Sequence, residues 1–308
     1  MSTIRRILVT GSSGTIGTAL CQHLLEKKFE IIGVDWLANK WDPQLDTRTI
    51  RADLRDPLAW EKIPPDVDAI VHLAANARVY DLTVEPDGAR DNVLTLYNAL
   101  EFCRKHRIRR FLFASSRETY GNNSAKKNKE ENVAIERSES PYAASKLAGE
   151  AFVHAYSHCY GIHHVIFRFS NVYGRFDDSI RVVPLFIRQA RENKTITVFG
   201  RDKAYDMTFI DDAIDGIQRA IERFDRVQNN TFNIATGKAT RLRDVATWIK
   251  DELESKSKIV FAPMRQGEIR FHRADISKAR NQLGFSPKIP ARKGIQKAVA
   301  WYQQHRPE

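Results

Sequence analysis

The chain reads as an α/β protein: a doubly wound parallel Rossmann sheet followed by a smaller C-terminal α/β lobe. Three observations predict this. Strand-like and helix-like segments alternate through the first half, and a glycine triplet sits at the first strand-to-helix junction. Past residue 168 the rhythm breaks into shorter pieces punctuated by Pro and Gly. Parallel strands joined by helical crossovers give an open sheet with helices on both faces.

Residues 4–9 are an apolar run of strand length, and residues 15–27 show the 3.6-residue periodicity of an amphipathic helix. Short strands are predicted over 31–35, 49–53, 69–74 and 111–115. The clearest helix covers 86–106, with Val93, Leu96, Tyr97, Leu100 and Cys103 as one stripe, and another covers 142–160. Val165-Ile166-Phe167-Arg168 is the strand that closes the first domain, expected at 1–168 with a return segment near 205–235. Residues 169–308 make up most of the second lobe. The charged stretch 124–140 reads as a solvated loop or flap.

With 308 residues the chain can bury a large core, and 42% hydrophobic with 28% charged residues is ordinary for a globular protein. No apolar run approaches the ~18 residues needed to cross a bilayer. Strand propensity begins within four residues of the start, so no signal peptide is expected. Cys21, Cys103 and Cys159 show neither metal nor redox spacing and read as reduced, mostly buried thiols of a cytoplasmic protein. The net charge of +11 raises the question of nucleic acid. Its densest cluster, Arg104-Lys105-His106-Arg107-Ile108-Arg109-Arg110, ends a helix, where cations offset the dipole, and has no interleaved aromatics. A basic protein with a dianionic small-molecule substrate is the better reading; no nucleic-acid or membrane partner is expected.

The triplet Gly11, Gly14, Gly17 falls where a dinucleotide site requires it, between a strand and a helix. Gly11 allows a sharp turn, Gly14 lets backbone approach a pyrophosphate, and Gly17 permits close packing of a helix whose N-terminus, at Thr15 and Ile16, offers free N–H groups. The spacing is one residue longer at the front than the usual fingerprint. Asp35 ends the second strand about twenty residues on, where a carboxylate accepts both hydroxyls of a ribose and repels a 2′-phosphate, favouring NAD over NADP. Asp53 and Leu54 end the third strand, placed to meet the adenine. Leu73, Ala74 and Ala75 end the fourth, with small side chains where a cofactor lies flat.

Of nine tyrosines only Tyr142 has a lysine at i+4, Lys146. On a helix the two share a face, so the ammonium can favour a phenolate whose unperturbed pKa is about 10. Ser115-Ser116-Arg117-Glu118-Thr119-Tyr120-Gly121 leaves the fifth strand at its carboxyl end, where open α/β sheets bind ligands. A serine hydroxyl there can share a substrate hydroxyl with Tyr142. No nucleophile elbow surrounds it.

With these residues in order, the chain resembles the extended short-chain dehydrogenase/reductases, specifically the nucleotide-sugar epimerases and dehydratases such as the UDP-glucose 4-epimerases. The likeness continues through Arg168-Phe169-Ser170-Asn171-Val172-Tyr173-Gly174, Phe209-Ile210-Asp211-Asp212, Arg265-Gln266-Gly267-Glu268 and Ala274-Asp275. It implies that Ser116, Tyr142 and Lys146 form a catalytic triad, that Asn171 holds the sugar diphosphate, that Phe199 lies near the nucleobase and that Arg265 clamps the phosphates. It further implies NAD as cofactor, a UDP-sugar substrate, and a homodimer formed by the helices 86–106 and 142–160. The implied reaction is C4 epimerisation of a UDP-hexose through a 4-keto sugar.

Two departures bear on this. Tyr205 stands where the family carries a phosphate-binding arginine, leaving the diphosphate to Arg265 or to Lys203, Arg270 or Arg273. Ser116 is followed by Arg117, a candidate substrate ligand, and Glu118; a glutamate there resembles the 4,6-dehydratases and decarboxylases. Arg117 cannot replace their acid, since it keeps its proton near neutrality. Glu118 is either a base on a 4-keto intermediate, making the chain a dehydratase or decarboxylase, or a partner of Arg117 or of a ligand. A catalytically silent NAD(H)-binding regulator or scaffold is the alternative of another class.

Overall fold

The computed structural model describes residues 4–123 and 125–305; Ser124, where the polar stretch begins, lies outside the described residues. β1 (Arg6–Thr10) leads through the glycine loop into α1 (Thr15–Glu26) and β2 (Glu30–Asp35). The short α2 (Pro43–Thr47) precedes β3 (Thr49–Arg51), and β4 (Ala69–His72) precedes α3 (Val79–Val84) and the long α4 (Asp87–His106). β5 (Arg110–Ser116), α5 (Pro141–Tyr160) and β6 (His163–Phe169) complete the alternating half. There follow β7 (Asn171–Tyr173), α6 (Val182–Arg191), β8 (Ile196–Phe199) and β9 (Ala204–Phe209). Next come α7 (Ile210–Glu222), α8 (Phe224–Val227), β10 (Asn230–Ile234), β11 (Ala239–Arg241), α9 (Leu242–Glu252), β12 (Ile259–Ala262) and α10 (Ala291–Gln304).

The main sheet has seven strands in the order β10-β6-β5-β4-β1-β2-β3. Every pairing in it is parallel. Strand order reverses between β1 and β4, which opens a crevice at the carboxyl ends of the strands. Successive residues of β1 point to opposite faces. Ile7 and Val9 therefore enter the core beneath α1 and α7, whereas Leu8 enters the core beneath α4 and α5. Both faces are covered, which is why the strands read as continuous Val, Ile and Leu runs. The second lobe carries a three-stranded sheet, β11-β9-β7, and the pair β12-β8.

Two aspartates fasten the lobes. Asp206 on β9 is fully buried and accepts from the Thr236 and Gly237 backbone N–H groups at 2.7 Å each, just past β10. Asp212 on α7 accepts from the N–H groups of Lys288 (2.8 Å) and Ile289 (3.0 Å).

Three expectations need correction. The 86–106 stripe divides: Leu96, Leu100 and Cys103 are sealed in the core, while Tyr97 is 41% and its neighbour Leu94 37% exposed. β3 stops at Arg51, because the Asp53 carboxylate accepts the Arg55 N–H (3.0 Å) and turns the chain. The polar stretch is not a free flap. Asn128 is buried and bonded to Arg273 and Asp275, and Arg168 donates to the Glu130 carbonyl at 2.6 Å.

Candidate active site

The crevice holds two adjoining cavities of about 640 and 330 Å³, both bordered by Gly11, Gly14, Thr15, Leu73 and Ala75. Asp35, Asp53, Leu54 and Ala74 line the larger one. Ile16, Gly17, Ser116, Arg117, Glu118, Tyr142, Lys146, Asn171 and Arg265 line the smaller. Phe199 borders neither directly; Arg265 stacks on it, 3.8 Å from the ring centroid, and also reaches Tyr80 at 4.7 Å.

Between β1 and α1 the loop is shaped by what a side chain would strike. Gly11 has φ +72°, and a Cβ there would lie 2.7 Å from the Ala74 nitrogen. A Cβ on Gly17 would lie 2.0 Å from the Gly11 carbonyl oxygen, so this glycine closes the loop on itself rather than seating the helix on the sheet. Gly14, the N-cap of α1, meets nothing nearer than 3.4 Å. Its open side faces the cavity with the free N–H groups of the first helical turn, a cradle that fits a pyrophosphate. Asp35 is buried, and its oxygens accept the Ser13 and Leu37 N–H groups at 2.9 Å each. Burial raises its pKa while those bonds oppose the shift. Each oxygen keeps lone pairs for a ribose hydroxyl. Asp53 is held by Arg55 at 2.6 Å, which in turn lies 5.0 Å from the Trp36 ring.

Ser116 ends β5, and Tyr142 lies in the first turn of α5, which Ser140 caps by accepting the Ala143 N–H at 3.2 Å. Pro141 at the first helical position needs no N–H partner there. The Ser116 and Tyr142 side chains border the same cavity, and the serine hydroxyl lies near enough to the phenol to lower its pKa. Lys146 lies one turn further on, its Nζ donating to the Ala114 carbonyl at 2.8 Å and lying 5.9 Å from the Tyr142 ring centroid. Burial lowers the Lys146 pKa to about 8, with Glu150 opposing. Burial also raises the Tyr142 phenol above its ordinary value; the Ser116 hydroxyl and the Arg181 and Arg117 charges oppose this. The ammonium is directed at a backbone carbonyl, and desolvation outweighs the neighbouring cations.

Beneath these three side chains, Arg168 grips Glu150 with two bonds of 2.9 and 2.6 Å, and Ser115 donates to the same carboxylate. That buried cluster ties the end of β5 to α5, hence Ser116 to Tyr142. Glu118 is also buried and bridges Arg117 at 2.8 Å; burial raises its pKa. Arg117 donates from Nε to Asn171 Oδ1 at 2.8 Å and lies 3.8 Å from the Tyr205 ring centroid.

Of the cations named for the diphosphate, Arg265 reaches the cavity and forms no ion pair among the described residues. The other three are otherwise engaged. Lys203 is buried against Glu268 at 2.5 Å, Arg270 faces Asp202 in solvent, and Arg273 donates to the Gly237 carbonyl. Sequence reasoning missed Arg78 and Arg181, which border both cavities. Neither belongs to a motif; only the folding of two loops over the crevice brings them there.

The sequence profile of the NAD dependent epimerase/dehydratase family matches residues 7–235. The chain belongs to that family. A putative UDP-glucose 4-epimerase of Methanocaldococcus jannaschii is 32% identical, covering 97% of this chain and 99% of its own length. A Thermotoga maritima UDP-glucose 4-epimerase solved with UDP-glucose superposes with a TM-score of 0.89 at 27% identity, covering 97% of this chain and 99% of that one. A Bacillus cereus UDP-glucuronic acid 4-epimerase, in complex with UDP-glucuronic acid and NAD, gives 0.88 at 28% identity and the same coverage. The epimerase/dehydratase fold accounts for the parallel sheet, the switch-point crevice and the cradle at its centre.

Proposed function

We propose that this family member is an NAD-dependent nucleotide-sugar epimerase that inverts C4 of a UDP-hexose, or of a close relative, through a transient 4-keto sugar. The observation that carries this is that Ser116 at the end of β5 and Tyr142 and Lys146 on α5 line one cavity together with the glycine loop. UDP-sugars are bound by the T. maritima and B. cereus enzymes of the same fold, which supports the substrate class.

In this reading residues 1–168 with the returning α7–β10 segment hold NAD, and 169–308 mainly hold the nucleotide sugar. NAD, when bound, supplies a reversible hydride acceptor. Tyr142 takes the proton of the C4 hydroxyl and later returns it, with Ser116 holding that hydroxyl in line. Lys146 binds the ribose next to the nicotinamide and keeps positive charge near the phenol. Asp35 selects NAD, Asp53 and Leu54 border the adenine, and Arg265 with Arg78 and Arg181 meets the diphosphates. A homodimer built on α4 and α5 is proposed on the exposed Leu94, Tyr97 and Tyr160. A cytoplasmic setting is proposed on the three free cysteines.

The test is incubation of purified protein with UDP-, dTDP- and GDP-hexoses in deuterium oxide, followed by NMR. The expected product is the C4 epimer at unchanged mass with no deuterium at C5. Loss of water or carbon dioxide, or C5 deuterium that disappears in Glu118→Gln, would make Glu118 a base and the chain a dehydratase or decarboxylase.

A further inference from the structure

The wall of the smaller cavity next to Ser116 contains two polar atoms that the protein leaves unmatched. Arg117 Nη1 and Glu118 Oε2 are buried without a hydrogen-bond partner among the described residues. They are not loose ends of mobile side chains, which are 9% and 4% exposed. Arg117 is fixed by Glu118 through Nη2, by Asn171 through Nε and by the face of Tyr205. The Glu118 backbone N–H donates to Ser116 Oγ at 3.2 Å, so the pair is coupled to the triad. A buried donor and a buried acceptor left unmade both cost free energy, and a ligand that completes them recovers it.

We propose that the Arg117–Glu118 pair reads one hydroxyl of the sugar and discriminates against a sugar carrying a carboxylate at that carbon. This deepens the epimerase reading and rests on it. A hydroxyl both donates and accepts, so one group satisfies Glu118 Oε2 and Arg117 Nη1 together. A carboxylate only accepts, and it would bring a second negative charge against Glu118. The next pair in the wall, Lys203–Glu268, is itself neutral, and in the proposed function Arg78, Arg181 and Arg265 on the same cavity are taken up by the diphosphates. Tyr205 has a part in this. It supplies a flat surface for the Arg117 guanidinium, 3.8 Å from the ring centroid.

The experiment is calorimetric titration of the NAD-loaded protein with UDP, UDP-glucose and UDP-glucuronate. The wild type is expected to bind UDP-glucose at least about tenfold more tightly than UDP-glucuronate. Glu118→Gln leaves the Arg117 charge uncompensated, so that preference should fall by about tenfold or more while the affinity for UDP stays unchanged. Equal or tighter wild-type binding of UDP-glucuronate overturns the proposal, as does an unaltered preference in a Glu118→Gln protein that still binds UDP and NAD. If the variant does not fold, the wild-type ratio decides alone. Turnover is followed separately by NMR. An enzyme that epimerises but prefers the acid defeats only the hydroxyl reading; the predicted binding ratio without any epimerisation defeats only the proposed reaction.

Discussion

Tyr142 and Lys146 are both buried, and burial penalises the charged form of each. For Tyr142 the functional demand is a hydroxyl able to give up a proton, so Tyr142→Phe should lower kcat by about 10²–10⁴-fold. NAD affinity and the melting temperature should hardly move, because the change leaves no cavity. Retention of more than about a tenth of wild-type activity would contradict the assignment. For Lys146 the sign of the pH dependence is set by a folded pKa of about 8 against an ordinary 10.5. Between those values the unfolded chain binds more protons, so stability rises with pH across that window, and the penalty is full below about pH 8. Lys146→Met should therefore stabilise the cofactor-free protein at pH 7 by up to roughly 3 kcal/mol, at about 1.4 kcal/mol per pKa unit, while abolishing turnover. Chemical denaturation at pH 7 and pH 10 checks it; a destabilised variant at pH 7 would contradict it. Asp35 predicts tighter binding of NAD than NADP in titrations of stripped protein, since a 2′-phosphate would meet a poorly screened carboxylate. At this scale the sequence was readable where chemistry needs a fixed spacing, as in the three glycines and the Tyr142/Lys146 pair. It was silent on Arg78 and Arg181, whose places depend on loop paths, and on the pairing that holds Glu118.

At the scale of elements, α5 carries Tyr142 and Lys146, and its start is set by Ser140 and Pro141. Ser140→Ala removes the bond to the Ala143 N–H and should cost about 1 kcal/mol of stability. Thermal unfolding measures that cost, and because Tyr142 lies in the same turn, kcat should fall as well. The helix α4 was legible from its period, but its faces were not. Leu96 and Leu100 belong to the core, so a dimer must use the outward residues Leu94 and Tyr97. Light scattering should show a dimer at micromolar concentration that Leu94→Glu with Tyr97→Glu converts to a monomer; a wild-type monomer would contradict the pairing. The polar stretch misled for a physical reason. Its contacts to Arg168, Asn233, Arg273 and Asp275 are long-range hydrogen bonds, which composition cannot reveal.

At the scale of the whole molecule, the alternation of strands and helices announced the main sheet, and its switch point located the crevice. The partition of the second half was harder to read, because the chain returns to the main sheet as β10, beside β6, only after β7, β8 and β9 have been placed in the smaller sheets. The +11 charge also takes on a different meaning in the fold. Arg104 is matched by Glu101 and Arg110 by Asp225, whereas Arg265 faces the crevice. What unites these levels is one claim, that the crevice removes hydrogen from C4 of a sugar and returns it to the same carbon. UDP-glucose deuterated at C4, incubated with the NAD-bound enzyme in ordinary water, tests it most directly. The account predicts UDP-galactose with the deuterium retained at C4, whereas deuterium transferred to C6 or lost to solvent, or no epimer at all, would contradict it.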